Sequence, residues 1–166
     1  MDKTLGKLYW EELKDEAVAT RKCLERIPLE LSAWKPHDKS MPLGYLALVV
    51  SEIPRWISHA IKEGDIDFAT FKHFQPKTTE ELVKHFDENM EGAKKALENV
   101  SDEALEESFS LKNNGQVLAT DSKKHTVSSS INHLVHHRGQ LTVYMRLNNI
   151  AVPSIYGPSA DDPGTH

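Results

Sequence analysis

The sequence predicts an all-α protein, a four-helix bundle with a small hairpin or irregular excursion between the third and fourth helices. Apolar residues recur three or four positions apart along four long segments, which is the spacing of one face of an amphipathic helix. An Asn-Gly pair between two short alternating runs is typical of a β-hairpin turn. The 166 residues contain no repeat and no linker, so we expect a single domain that spans residues 1–166.

The first two helical segments are predicted at residues 4–26 and 43–61. Asp2 or Thr4 is the expected N-cap of the first helix, because their side-chain oxygens can accept a hydrogen bond from a free backbone amide. The second segment is the richest in apolar residues, so it should be the most buried helix. Ser40 is its expected N-cap.

The third helix is predicted to begin at a capping box, in which Thr78 and Glu81 satisfy each other's backbone donors, and to end near Val100. The loop before it, residues 65–77, contains three phenylalanines. A free linker is rarely so aromatic, and we expect this loop to pack over one end of the bundle. His85, in the third helix, is expected on the polar face.

The fourth helix is predicted to begin at Thr126 or Ser128, after a hairpin that turns at Asn114-Gly115, and to end near Asn149. Gly139 lies inside this helix, where a glycine costs about 1 kcal/mol relative to alanine. We therefore expect a neighbouring helix or a ligand to approach the chain closely at Gly139.

Charge and cysteine content narrow the class of protein. The net charge of −5 and the pI near 6.0 argue against nucleic acid as a partner, since phosphate binding requires a basic face. Cys23 is the only cysteine, so no internal disulfide can form, which fits a reducing compartment. No apolar run approaches the 18 or so residues of a membrane span. We expect a cytoplasmic protein with no membrane partner.

Two histidines in the predicted fourth helix, His133 and His137, are separated by four residues. Positions four apart on a helix differ by only about 40° in direction, so both imidazoles point the same way, with Gln140 and Tyr144 further along that line. Two imidazoles placed in this way can bind one metal ion, as they do in H-E-x-x-H sites. The same spacing also arises by chance in a histidine-rich helix.

The motif H-x-x-x-H-R-G-Q at residues 133–140, followed by Tyr-Gly-Pro-Ser at 156–159, resembles the DinB/YfiT-like family of four-helix metalloproteins. Residues 46–56 are similar to the second helix of that family, so the resemblance covers essentially the whole chain. It implies a metal site with a third histidine from the second helix. Val49 stands at that position here, and only His133 and His137 carry over as ligands.

Several residues near Val49 are alternatives for the third ligand. Glu52 and Tyr45 lie on a similar helix face, and Glu52 would complete a His₂Glu set of the kind that binds zinc. A carboxylate at Glu52 that is instead hydrogen-bonded inside the bundle, or exposed at its edge, is the other interpretation. His59 is poorly placed, since ten residues along a helix amount to about 15 Å of rise.

A metal ion on the histidine pair is expected to be zinc or nickel, since imidazole ligands suit both. The resemblance implies a metal-dependent S-transferase or hydrolase that works with a low-molecular-weight thiol. Gln140, Tyr144 and Val49 would line its pocket, and the protein would be a homodimer. The alternative is a bundle that has lost the metal site and serves as a non-catalytic, dimerising or small-ligand-binding protein. The sequence leaves both hypotheses open.

Overall fold

The computed structural model describes residues 3–164, and four long helices form the bundle that the sequence predicts. The elements in chain order are α1 (Leu5–Leu24), α2 (Leu43–Glu63), β1 (Asp65–Asp67), α3 (Thr79–Asn99), α4 (Asp102–Leu105), β2 (Ser108–Asn113), β3 (Gln116–Ser122) and α5 (Lys123–Leu147). A short 3₁₀ turn, Leu29–Leu31, lies between α1 and α2. The helix predicted fourth from the sequence is α5, because α4 is only a single turn.

Helix α2 makes the most extensive helix contacts of the bundle, which it forms with α3 and α5, whereas it scarcely meets α1. Each long helix contributes fully buried aliphatic side chains to one continuous core, among them Leu13, Leu46, Ile57, Leu97 and Leu134. Burial of one such side chain stabilises the fold by about 1.5–3 kcal/mol. The expectation that the second helix is the most buried is confirmed.

Two of the predicted helix caps are present. Thr4 caps α1 and Thr78 caps α3, the latter by accepting a 3.2 Å hydrogen bond from the Glu81 amide. The side chain of Glu81 does not return to the Thr78 amide, as a capping box requires, but accepts from the Lys77 amide at 2.7 Å. The alternative cap, Asp2, lies outside the described residues.

One predicted helix cap and one predicted helix start are wrong. Helix α2 begins at Leu43 as predicted but has Pro42, not Ser40, at its N-cap, and Ser40 lies in the preceding turn, where its amide donates to the carbonyl of His37 at 2.9 Å. Helix α5 begins three or five residues earlier than predicted, at Lys123. Its cap is Ser122, whose hydroxyl accepts from the His125 amide, so Lys123 and Lys124 lie in the first turn of the helix.

The all-α prediction is wrong in one respect, because a three-stranded sheet accompanies the helices. The predicted hairpin is confirmed as β2 and β3, with Asn114 and Gly115 both at positive φ in the turn. The unexpected strand is β1, which pairs in parallel with β2. Asp67 fastens β1 to the hairpin, since its carboxylate accepts from the Asn114 and Gly115 amides at 3.0 and 2.7 Å.

The close approach of a helix predicted at Gly139 is absent among residues 3–164, while the alternative, the approach of a ligand, stays a prediction. This glycine is exposed on α5, and apart from the adjacent backbone of α5 no atom of residues 3–164 lies within 4 Å of the position that a Cβ would occupy. Close helix packing occurs instead at Gly6 of α1, where a Cβ would come 2.3 Å from the Leu97 carbonyl oxygen. The tight approach in this bundle is therefore between α1 and α3.

The arginine that follows the histidine pair is internal. Arg138 is 2% exposed and pairs with a carboxylate oxygen of Glu16 at 2.6 Å. It also donates to the Tyr156 hydroxyl at 2.9 Å. Arg138 therefore joins α5 to α1 and to the segment that follows α5.

Within residues 3–164, none of the helices combines the length and the apolar character that crossing a membrane requires.

Candidate functional site

The structure brings the two histidines of α5 together. The ring centroids of His133 and His137 are 4.4 Å apart and the ring planes are inclined by 50°. His137 is buried, with 7% of its surface exposed, while His133 lies at the more exposed end of the pair. A regular helix is sufficient to produce this arrangement, because the two residues are separated by about one turn.

A hydrogen bond fixes the orientation of His137. Its Nδ1 lies 2.7 Å from the side-chain carbonyl oxygen Oε1 of Gln140. A carbonyl oxygen can only accept, so Nδ1 carries the proton and the neutral ring has its lone pair on Nε2. Gln140 thus determines which nitrogen of His137 is available to a ligand.

His133 is kept in its neutral form. Partial burial lowers the pKa of this imidazole, and the neighbouring His137 and His136 lower it further, because a second positive charge there would be repelled. The ring is partly desolvated although the residue as a whole is exposed at the edge of the pair. At neutral pH His133 therefore offers a lone pair and not a positive charge.

The histidine pair lines a cavity of about 230 Å³ between α2, α5 and the loop that follows β1. Most of its wall is apolar or aromatic, and the side chains that form this part are Met41, Tyr45, Val49, Ile53, Trp56 and Phe68. The polar part of the wall consists of Glu52, His73 and the two histidines of α5. Larger hollows of 360–470 Å³ lie elsewhere on the surface, but neither histidine of the pair borders them.

Of the other residues predicted to line a pocket, Val49 does so and two do not. Gln140 acts through its hydrogen bond to His137 and is itself outside the cavity wall. Tyr144 packs edge-on against Trp34, with the ring centroids 5.5 Å apart, and is likewise outside the wall. Of the four residues predicted to point the same way along α5, only His133 and His137 therefore border the cavity.

Glu52 is almost completely buried, with 1% of its side chain exposed. Its Oε2 accepts a 2.6 Å hydrogen bond from Nδ1 of His73, and its Oε1 accepts from the Phe74 amide at 2.9 Å. Burial alone would raise the pKa of Glu52, but His85, the Phe74 amide and His73 together lower it below the ordinary range. Glu52 is therefore an ionised carboxylate that is hydrogen-bonded inside the bundle.

The position predicted for His85, on the polar face of α3, is wrong. Its side chain is 13% exposed, and its ring stacks on Phe74 with a centroid distance of 4.3 Å. The Nε2 of His85 lies 3.5 Å from Oε1 of Glu52 and makes no well-formed hydrogen bond among the described residues. His85 thus lies beside the negative charge of Glu52.

The donors present do not fit the three-ligand metal site that the family resemblance implies. Within residues 3–164, no group of three histidine, cysteine, aspartate or glutamate side chains is positioned to hold a metal ion. Val49 presents methyl groups in the wall beside the pair, and both carboxylate oxygens of Glu52 are engaged by the loop after β1. His59 is engaged with the carbonyl of Asp65, 2.8 Å away.

His73 is the polar residue of the cavity that the sequence did not indicate. It belongs to the loop between β1 and α3, and its ring packs against Phe71 with a centroid distance of 5.2 Å. The aromatic content of this loop predicted that it packs on the bundle, but did not indicate which helix it meets. The sequence feature that could have indicated His73 as a site residue is its position among these phenylalanines.

The fold can be compared with known proteins. The DinB family model matches residues 1–164. The chain belongs to the DinB family. A DinB-like protein from Bacillus cereus shares 21% identity over 94% of this chain and 100% of its own, with a TM-score of 0.70. A DinB-like protein from Bacillus subtilis shares 19% identity over 87% and 93% of the two chains, with a TM-score of 0.67. None of the curated proteins matches the chain significantly.

These structural similarities concern the fold of the DinB family, since both identities are below 25%. They show that the mainly helical architecture of this chain is similar to that of the two DinB-like proteins. What the cavity of this DinB protein binds has to be argued from its own side chains.

Proposed function

We propose that this DinB protein binds a small, mainly apolar molecule in the cavity between α2 and α5, with His133 and His137 as its hydrogen-bonding anchors. The observation that carries the proposal is the composition of the cavity wall, in which a few convergent polar groups stand among aromatic and aliphatic side chains. This combination is typical of small-molecule sites in proteins. The volume of about 230 Å³ restricts the ligand to a small one.

The apolar and the polar residues of the wall contribute to binding in different ways. Ile53, Trp56 and Phe68 remove apolar ligand surface from water, which stabilises a complex by about 25 cal/mol per Å². His137 orients the ligand, because Gln140 holds the ring in one orientation before the ligand arrives. Such preorganisation reduces the entropy that binding would otherwise cost.

Binding alone is favoured over metal-dependent chemistry because of Val49. The resemblance implies a histidine at this position, and an aliphatic side chain there extends the apolar wall up to the histidine pair. A valine adds to the affinity for an apolar ligand and contributes nothing to that for a metal ion.

Filling the cavity tests this function. Fragments would be screened against the isotope-labelled protein by NMR, with the signals of Trp56, His133 and His137 as reporters. Val49→Phe should abolish the binding of any fragment that shifts these signals, because the larger ring occupies the cavity. Val18→Phe is the matched control, since Val18 is 63% exposed on α1. Absence of any shift at the cavity, or unchanged binding to Val49→Phe, would contradict the proposal.

A second candidate function is supported by the state of the histidine pair. It is a metal-dependent S-transferase or hydrolase that works with a low-molecular-weight thiol and carries zinc or nickel on His133 and His137. Metal ligands must be deprotonated, and a histidine ligand usually donates its other N–H to a neighbouring acceptor. The lowered pKa of His133 and the Gln140 hydrogen bond of His137 meet both conditions.

Metal analysis separates the two candidates. Tag-free protein would be dialysed against zinc or nickel, and its metal content would be measured. Near-stoichiometric metal that is lost in His137→Ala but kept in His125→Ala supports the metal-dependent candidate, because His125 is exposed at the start of α5. If the wild-type protein retains no metal, the small-molecule function stands alone.

A further inference from the structure

The loop between β1 and α3 contributes Phe68 and His73 to the cavity wall, and these two residues are held in different ways. His73 is held by its own side chain, through the 2.6 Å hydrogen bond to Glu52. A phenylalanine ring has no such bond to make, so the position of Phe68 depends on its backbone and on the packing of its ring. The contacts that hold this backbone therefore decide where one side of the cavity wall lies.

The ring of Phe68 is packed only in part. It is 40% exposed, and the centroid of the Trp56 ring is 5.6 Å away. Within residues 3–164, Phe68 joins neither of the two buried apolar clusters, whereas Ile66, two residues earlier in β1, is 3% exposed and belongs to the smaller cluster. Segments with few buried contacts open locally more readily than the core. Phe68 therefore lies at the edge of the cavity, next to a fixed strand but not fixed by the core itself.

The β2–β3 hairpin fixes the backbone at Phe68. The Phe68 amide donates to the carbonyl of Lys112 at 3.0 Å, which extends the pairing of β1 with β2 by one residue. The preceding residue, Asp67, accepts from the Gly115 and Asn114 amides of the hairpin turn at 2.7 and 3.0 Å. The cavity wall at Phe68 is thus connected to the turn of the hairpin.

Asp67 makes contacts on both sides of Phe68. The oxygen that accepts from the Asn114 amide also accepts from the Ala69 amide, at 2.9 Å. The hydrogen bonds from Gly115, Ala69 and Asn114 lower the pKa of Asp67, so its carboxylate is ionised at neutral pH. Hydrogen bonds to a charged acceptor are stronger than those between neutral groups. One carboxylate therefore joins the hairpin turn to the residue that follows Phe68.

We propose that Phe68 is a movable cover of the cavity and that Asp67 is the positioning residue that keeps it closed, so that the β2–β3 hairpin controls entry to the site. The inference rests on the proposed small-molecule function and adds how that site opens and closes. While Asp67 holds the hairpin turn, the Phe68 ring packs on Trp56 and completes the aromatic wall. When these contacts are lost, the ring turns to solvent and the cavity opens on that side.

A thiol placed in the cavity wall measures entry directly. Val49→Cys in a Cys23→Ala background has its only thiol there, and its rate of labelling by a disulfide reagent in the presence of EDTA reports access to the cavity. Addition of Asp67→Ala or of Phe68→Ala should raise this rate about tenfold, because the cover is then open or absent. Asp15→Ala, which removes an exposed carboxylate of α1, is the control and should leave the rate unchanged.

A second thiol separates local opening from loss of the fold. Cys23 is fully buried in α1, so it becomes accessible only when the bundle opens. In Asp67→Ala without the other substitutions, Cys23 should be labelled as slowly as in the wild type. If it is labelled fast, the comparison is made with Asp67→Asn, which keeps one acceptor oxygen for the hairpin turn. In that variant the labelling rate of the Val49→Cys thiol should exceed that of the wild-type background, with Cys23 still protected.

Benzyl alcohol, a small neutral probe, connects the cover to binding. Asp67→Ala should weaken its binding at the cavity, measured by NMR titration, about tenfold. If Asp67→Ala and Asp67→Asn leave the labelling rate unchanged, the cover is overturned, while binding of benzyl alcohol to the wild-type protein still supports the small-molecule function. If labelling depends on Asp67 but neither benzyl alcohol nor any fragment of the screen binds at the cavity, the small-molecule function is overturned and the cover stands as a property of the fold.

Discussion

Oε2 of Glu52 accepts a 2.6 Å hydrogen bond from Nδ1 of His73, so a buried carboxylate of α2 holds the loop between β1 and α3 against the bundle. The adjacent Phe74 amide donates to the other oxygen, and the loop is thus held at two successive residues. This loop supplies Phe68 and His73 to the cavity wall. The same carboxylate therefore stabilises the fold and shapes the candidate site.

Glu52→Gln should destabilise the protein at pH 7 by about 1–3 kcal/mol, because the charged acceptor of a buried hydrogen bond is lost. The pKa of Glu52 in the folded protein lies below its ordinary value of 4.5. Ionised Glu52 therefore stabilises the fold above about pH 4.5, and this contribution disappears as the pH falls through the folded pKa. Urea unfolding of wild type and variant from pH 7 to pH 3 measures both effects.

The acid dependence provides the check on that interpretation. Wild-type stability should fall more steeply than that of Glu52→Gln below pH 4.5, so the two curves should converge. Glu98→Gln on the exposed face of α3 is the control and should follow the wild type. Parallel curves for wild type and Glu52→Gln would show that the carboxylate is not ionised as described.

Val49→His should increase the affinity for zinc, nickel or cobalt by about tenfold or more, since it adds a third imidazole beside His133 and His137. Cobalt titration followed by absorption spectroscopy would report both the affinity and the coordination number. Val18→His, on the exposed face of α1, is the control and should leave the affinity unchanged. No gain in Val49→His would mean that α2 does not face the histidine pair closely enough to share a metal ion.

The features predicted correctly from the sequence are those encoded by local patterns. Helical periodicity gave the four long helices, Asn114-Gly115 gave the hairpin, and the four-residue spacing gave the adjacency of His133 and His137. Ser122 was missed as a cap because a serine in a polar segment does not by itself indicate a helix start.

The features that the sequence did not predict depend on contacts between distant residues. Strand β1 has three residues and forms by parallel pairing with β2, more than forty positions away. Glu52 and His73 are 21 residues apart and meet only because the loop folds back onto α2. The homodimer, the bound zinc or nickel and the thiol cosubstrate concern partners of the chain, and these stay predictions.

Cys23 should be chemically inert in the folded protein. Its side chain is fully buried, and desolvation raises the pKa of the thiol to about 11, although Arg138 and Arg26 lower it somewhat. At pH 8 the thiolate is therefore scarce, and labelling by a disulfide reagent should be about 100-fold slower than in urea. Val18→Cys in a Cys23→Ala background is the control and should react quickly. Rapid labelling of native Cys23 would contradict its burial.

The two helical glycines Gly6 and Gly139 should respond to alanine in opposite directions. In Gly6→Ala the new methyl group would meet the Leu97 carbonyl oxygen at 2.3 Å, a backbone atom that cannot yield without moving α3. We expect a loss of about 1–3 kcal/mol in the free energy of unfolding. In Gly139→Ala the new methyl group would meet no neighbouring side chain or helix of residues 3–164 within 4 Å, and the gain in helix propensity should stabilise the protein by up to about 1 kcal/mol.

Urea unfolding of the two variants under the same conditions measures this difference, and an unchanged denaturant slope would confirm that both unfold as the wild type does. Gly139 also lies between His137 and Gln140, so binding at the cavity provides a second readout. Because its methyl group would point to solvent, Gly139→Ala should leave fragment binding at wild-type strength. Loss of binding in Gly139→Ala, with the fold intact, would show that a ligand approaches the backbone there, as the sequence alone had suggested.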